Sequence, residues 1–544
     1  MKKIFTTLLL LASLALSAQE TAIYDGVNYN LDPVRLTAEV ASNTAVSGEL
    51  FIPETFTMGQ YTYTVTSIGD KAFAKAKNLT AITLPTTLKS VYRSAFEGTG
   101  IWNNKANWDK GYLVIDGVLI AADKTIKPKA VIADTIRLIA AQAFKGNKTV
   151  ARVEFPATVS RIDHETFRDC KSLSKVVIPK TITEIGEDAF TGSGIYNNDK
   201  KWRKGCLFID DCLIAVNNDA AAKFVFKTKL PTRLFASGAF AGNKKVKTLT
   251  IPSTVTAIPS ACFKNCQALT SVVIPESVTS VGDFAFYQCT QLKEATLPTT
   301  VTSLGTGAFY ECAHLASQTL SDNITIIPTA CFFNCHGLTD LSLPKALVRL
   351  GNGAFAGCNH LTNITLPSTL TYLGEVAFAG CAAFTKITIP ESIYAIGPET
   401  FAGCSSLERV NLPDGVYTFG RDAFAGCIVL EHINMPLALF RMEQGAFKNC
   451  KALLNITIPE KVEVLAKECF LGCTNLRTLT LSENIRIIED RACMDCRSLE
   501  EIIFPPVIEE IGAEAFSGCC SMFMPEFPEG TYVGRSAFKG TKIY

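Results

Sequence analysis

Histidine is scarce in this 544-residue chain, with five residues: His164, His314, His336, His360 and His432. Tryptophan is scarcer still, with only Trp102, Trp108 and Trp202. No cysteine precedes Cys170, so a lipid anchor on a cysteine at an N-terminal cleavage site is not expected. No segment approaches the ~18 consecutive apolar residues of a transmembrane helix. Neither sign of charge dominates. Lys+Arg is 52 and Asp+Glu is 51, so there is no basic field to draw nucleic acid or an anionic membrane. Gly-x-Ser-x-Gly, His-Glu-x-x-His and a phosphate-cradling glycine loop are all missing. Carboxylate pairs such as Glu408 and Glu431 exist, but repetition produces them automatically, and nothing points to general acid–base work. The chain is therefore not expected to be an enzyme or to need a cofactor or metal.

What is present is apolar residues, 48% of the chain, ample for a folded protein. The N-terminus reads as a signal peptide over residues 1–18. Lys2 and Lys3 supply a positive start, Phe5 to Leu16 is mostly apolar, and Leu16-Ser17-Ala18 offers a small-residue cleavage site. The mature chain, starting at Gln19, is expected to be exported. It is then secreted or held at the cell surface, with the periplasm also open.

Beyond that segment the chain is a repeat. Aligned on the dipeptide Ala-Phe, anchors fall at Phe73, Phe96, Phe144, Phe167 (here Thr-Phe) and Phe190. From Phe240 to Phe516 they return every 23 residues, with Cys493 in one slot, and Phe538 arrives one residue early. Such register marks a solenoid, in which each unit buries its apolar face only against its neighbours. One unit shows the logic. After Phe401 come Cys404, Leu407, Val410, Leu412, Pro413, Val416, Phe419-Gly420 and then Ala423-Phe424. Leu-x-x-Val-x-Leu reads as a short strand with alternating apolar positions. Pro413 closes it, since proline cannot donate to a ladder, and Gly420 is expected to allow a tight turn.

The pattern stands almost unaltered at residues 361–381, LTNITLPSTLTYLGEVAFAGC. It resembles the BspA-like family of bacterial leucine-rich-repeat proteins, over roughly residues 50–544. The resemblance implies a right-handed, β-rich leucine-rich-repeat solenoid of 23-residue repeats. Its parallel sheet lies on one face, and short turns replace long helices. It also implies a secreted or cell-surface protein associated with adhesion to host matrix proteins and to other cells.

Two insertions interrupt the array, at about 98–125 and 192–219, and they resemble each other. The first runs from Gly98 to Ile120 through Trp102 and Asp116-Gly117. The second runs from Gly192 to Ile214 through Tyr196 and Asp210-Asp211. Asp-Gly between apolar runs signals a two-residue hairpin. Residues 19–66, with Tyr24-Asp25-Gly26-Val27, read as an N-terminal β cap and an atypical first repeat that cover the open sheet edge. The division is then 19–66, interrupted repeats over 67–239, and uninterrupted repeats over 240–544. At the end, Tyr544 falls in the slot held by Trp102 and Tyr196, where an insertion would begin.

The repeat absorbs much of what looks chemical. Thirteen of the 20 cysteines sit three residues after an anchor, on a slot expected to face the core as buried thiols. Cys262, Cys331 and Cys469 replace the small residue of Ala-Phe. The resulting Cys-x-x-x-Cys pairs lack partners for zinc, and no disulfide framework is expected. Cys206 and Cys212 flank the second hairpin turn, with Cys212 expected opposite Ile209. His314, His336 and His360 share nearly one phase, either as a column for a transition metal or as turn residues phased by chance.

Candidate contact residues remain in two places. Trp108 and Trp202 occupy equivalent positions in the insertions, and two readings stay open: seating the hairpin, or a binding hot spot. On the strands, one outward column is largely threonine, as at Thr250, Thr388 and Thr457. The column two residues earlier varies: Asp340, Asn363, Lys386, Arg409, His432, Asn455. A recognition surface would vary so, and so would an unconstrained one. The expected function is a non-catalytic binding protein, for adhesion or for protein or glycan recognition, host extracellular matrix included. The alternatives are a polysaccharide-acting enzyme accessory with its site at the insertions, or a structural envelope protein.

Overall fold

A computed structural model describes residues 20–226, 232–362 and 364–542. The expected signal peptide and Tyr544 lie outside the described residues. The chain forms two compact units, divided between Cys289 and Thr290. Both are β-solenoids, and the longest helix among the described residues is the four-residue Gly100–Asn103.

Each regular turn contributes two strands, and these build two parallel ladders. One ladder comes from the Leu-x-x-Val-x-Leu segment. Lys386–Thr388 pairs with Arg409–Asn411, which pairs with His432–Ile433. The other comes from the residues six and five before an anchor: Ala395–Ile396, Thr418–Phe419 and Arg441–Met442. The sequence reading saw only the first ladder, because two residues give no measurable alternation.

The anchor phenylalanines stack between the ladders. Phe332 and Phe355 lie 5.4 Å apart with parallel rings, and Phe401 and Phe424 lie 5.6 Å apart at 6°. Every anchor but Phe96 is bracketed by two left-handed residues, such as Glu399 (φ 54°) and Gly403 (φ 72°) around Phe401. This explains the glycine, asparagine or aspartate found two residues after most anchors. The glycine four residues before many of the anchors has another cause. Gly420 is not in the left-handed region. A Cβ there would stand 2.5 Å from Pro398 N and 2.7 Å from the Gly397 carbonyl carbon. Close approach of the preceding turn, not turn geometry, demands glycine at this position.

The first unit opens with antiparallel strands Glu20–Tyr24, Val27–Asp32 and Thr37–Val40. Asp25 and Gly26 both have positive φ, as a type I′ hairpin turn requires. Tyr29, Phe56 and Tyr63 fill the space beneath. The region then merges into the solenoid. Gly48–Phe51 pairs in parallel with Leu79–Thr83, and Ser67 and Ile68 pair with Ser90 and Val91.

The insertions have matching architecture. Trp108–Asp109, Tyr112–Ile115 and Val118–Ala122 form an antiparallel sheet, which rejoins the solenoid where Val118 pairs with Leu138. Trp202–Arg203, Cys206–Ile209 and Cys212–Val216 repeat it, rejoining at Leu234. Ile209 faces Cys212 as expected, and both hairpins carry a register shift at the same point.

Candidate functional site

The variable column lies on the exposed face of the first ladder. Lys386, Arg409 and His432 are mutual neighbours in register, and all three are exposed. Asp340 sits opposite Ser317, and Asn455 opposite Thr478, each in a separate two-stranded sheet and also exposed. Asn363 lies outside the described residues. The fold thus brings three of the six candidates side by side. A groove of about 770 Å³ runs along this face, bordered by Thr365, Lys386, Thr388, Arg409 and Asn411. Asn411 Nδ2 donates to Thr388 Oγ1 at 3.3 Å, linking two turns across its floor. Glu431 lies 3.9 Å from His432, so the column has an acidic neighbour.

The insertion tryptophans are tied down. Trp108 Nε1 donates to the Trp102 carbonyl at 2.9 Å, and the two rings meet edge to face at 5.1 Å. Trp202 Nε1 donates to the Tyr196 carbonyl at 2.8 Å, again with an edge-to-face contact at 5.3 Å. Both indoles are half-buried. Acidic residues of the insertions are similarly engaged. Asp116 accepts from the Leu84 amide at 2.8 Å and Asp210 from the Ile178 amide at 2.9 Å, so each hairpin tip holds the strand end before it. Asp211 pairs with Lys180 and Arg233. Those hydrogen bonds and charges hold its carboxyl below the usual carboxylate range, although burial opposes them.

The cysteine slot is buried, with a contact the sequence did not reveal. Each thiol donates to the backbone carbonyl of the anchor one turn back: Cys404 to Phe378 at 3.2 Å, Cys266 to Phe240 at 3.0 Å, Cys170 to Phe144 at 2.9 Å. All 20 cysteines are free, and Cys520 alone is exposed. Burial pushes the Cys266, Cys358 and Cys404 thiols up to about 12, far from nucleophilic. The three histidines each hydrogen-bond a backbone carbonyl through Nδ1: His314 to Thr290, His336 to Gly357, His360 to His336. Among the described residues, no three His, Cys, Asp or Glu side chains gather in metal-binding geometry.

One surface feature escaped the sequence reading. Tyr394, Tyr417 and Phe440 stand 23 residues apart beside the second ladder, and all are exposed. The repeat period itself was the signal, since threonine is the commonest residue in that slot elsewhere.

Two stacked ladders, a phenylalanine spine and an exposed strand face define a leucine-rich-repeat solenoid. The chain belongs to the BspA type leucine rich repeat region family, whose pattern matches in six copies over residues 46–110, 126–199, 226–339, 325–454 and 441–544. No curated protein matches the chain. Among solved structures, a leucine rich cell surface protein from Faecalibacterium prausnitzii is 23% identical, with TM-score 0.31, covering 77% of this chain and 95% of that one. A leucine-rich repeat protein from Bacteroides ovatus is 20% identical, with TM-score 0.31, over 96% of this chain and 99% of that one. The T. pallidum Leucine Rich Repeat protein is 25% identical, with TM-score 0.25, over 34% of this chain and 78% of that one. No helix among the described residues is long and apolar enough to cross a membrane.

Proposed function

We propose that the chain is a secreted or surface-displayed, non-catalytic binding protein. Its partners are proteins or glycans, extracellular-matrix proteins among them, held along the exposed face of the first ladder. The observation that carries this reading is the registered column Lys386, Arg409 and His432 beside a groove, on strands whose other outward position is most often threonine, as at Thr365 and Thr388, with Asn411 beside them. Distinct side chains on a rigid, repeating scaffold suit many modest contacts over a broad face. Export rests on the signal-peptide pattern of residues 1–18. The insertions are less suited to a catalytic site, since their tryptophans and aspartates are committed to seating the hairpins. The test is binding of the mature chain to a panel of matrix proteins and to a glycan array. The reading expects a partner whose binding falls at least about tenfold in Lys386→Glu/Arg409→Glu, the loss of a contact at the centre of an interface. Silence on both panels would overturn it.

A further inference from the structure

The second ladder carries its own departure from the repeat. Seven residues before each anchor, the usual residue is threonine: Thr183, Thr256, Thr279, Thr302, Thr325, Thr371. Where its contact is recorded, that hydroxyl reaches one turn back. Thr183 donates to the Ser160 carbonyl, Thr279 to Thr256 and Thr371 to Val348, each at 3.3 Å. On three consecutive turns the slot instead holds Tyr394, Tyr417 and Phe440, exposed by 57%, 42% and 52%. The exchange gives up the hydroxyl bond and puts aromatic surface into water, which costs stability unless the rings serve a contact.

The three rings are not equivalent. Tyr417 and Phe440 stack at 5.8 Å and 11°, so one face of Phe440 is covered. On the next turn the slot is Glu463, and the aromatic run stops. There a cavity of about 790 Å³ opens, lined by Phe440 together with Arg421, Arg441, Lys461, Glu443, Glu463 and Glu489. Three cations face three anions, so the cavity has no net field to select a charged peptide. Arg421 and Arg441 are already paired with Glu399 and Glu443. Among the described residues the side chains of Lys461 and Glu463 form no ion pair, and both line the same cavity as the ring.

We propose that this cavity binds a neutral saccharide, with one sugar ring stacked on the free face of Phe440 and its hydroxyls bridging Lys461 and Glu463. The chemistry fits on both counts. The negative face of an aromatic ring attracts the weakly positive C–H face of a pyranose. Vicinal hydroxyls accept from an ammonium and donate to a carboxylate at once, which an ammonium and a carboxylate lining one cavity satisfy. The site is separate from the Lys386–Arg409 column and does not depend on it.

Calorimetric titration of the full chain with cellohexaose, maltohexaose and mannohexaose tests this proposal. At least one should bind. Phe440→Ala should weaken it about tenfold or more, while Phe440→Trp should keep it. Glu463→Gln and Lys461→Met should each weaken it, and Lys386→Glu should not. Phe440 is half exposed, so the variants are expected to melt with the wild type, which scanning calorimetry verifies. Three results would overturn the proposal: no binding of any of the three sugars at millimolar concentration, unchanged affinity in Phe440→Ala, or displacement of the sugar by a lysine-rich peptide. Because Lys386→Glu reports on the other face, failure here is distinguishable from failure of the sheet-face reading.

Discussion

A buried cysteine in the slot three residues after an anchor, such as Cys266 or Cys404, is both a small core residue and a weak donor to the turn before it. In Cys404 the thiol fills a slot with no exposure and bonds the Phe378 carbonyl. Burial holds these thiols neutral, with Cys266, Cys358 and Cys404 raised from an ordinary 9.0 to about 12. The linkage has a definite sign. Between about pH 9 and 12 the unfolded chain releases thiol protons that the folded chain retains, so stability is full below pH 9 and falls as pH rises. Melting temperature should therefore drop steeply above pH 9, and a Cys404→Ala/Cys427→Ala variant should drop less steeply. An absorbance titration with a thiol reagent should count one reactive cysteine, Cys520, in the native protein and 20 after unfolding. Glycine gives a second residue-scale prediction. Gly403→Ala forces a Cβ into φ 72° and should cost about 1 kcal/mol. Gly420→Ala meets backbone at 2.5 Å and should cost more, on the order of 3 kcal/mol, by denaturant melts. The sequence marked Gly420 but assigned it the wrong cause, because close approach between turns is invisible along one turn; Gly403 was not singled out.

At the scale of elements, the three-residue ladder was legible from the alternation around Val410, and the phenylalanine spine from the period alone. The two-residue ladder was not, because Ala395–Ile396 is too short to show a pattern. The hairpins were legible from Asp116-Gly117, and their common contacts extend the likeness further. Arg137 reaches the Asp116 and Pro85 carbonyls, while Arg233 reaches Asp211 and the Ile182 carbonyl. The tryptophans belong to the same joint. Trp108→Phe keeps the ring but loses the bond to the Trp102 carbonyl, and should cost about 1 kcal/mol. Hydrogen exchange should quicken in Tyr112–Ile115 and stay unchanged in the turns beyond Thr290. Phe355→Ala removes a ring from the middle of a stack and should cost about 3–5 kcal/mol. In a nearest-neighbour solenoid the loosening should spread to the turns at Phe332 and Phe378 before others.

For the whole molecule, family membership and fold follow from one period, and function does not. The period assigns the cysteines, anchors and prolines to architecture and leaves the exposed columns as the places where turns differ. The Lys386 column could be picked out because its variation is linear in sequence. The aromatic slot had the same signal but was overlooked, since three residues in a slot otherwise rich in threonine stand out only when turns are aligned. With near-equal acidic and basic totals, partner binding should depend on local contacts more than on a long-range field. Protease shaving of intact cells should remove the chain if it is displayed. The most direct measurement of the central claim is hydrogen–deuterium exchange on the complex with the first protein partner found on the matrix panel. The account predicts new protection in Lys386–Thr388 and Arg409–Asn411, with the insertion hairpins unchanged. Protection confined to Trp108–Ala122 and Trp202–Val216 would contradict it.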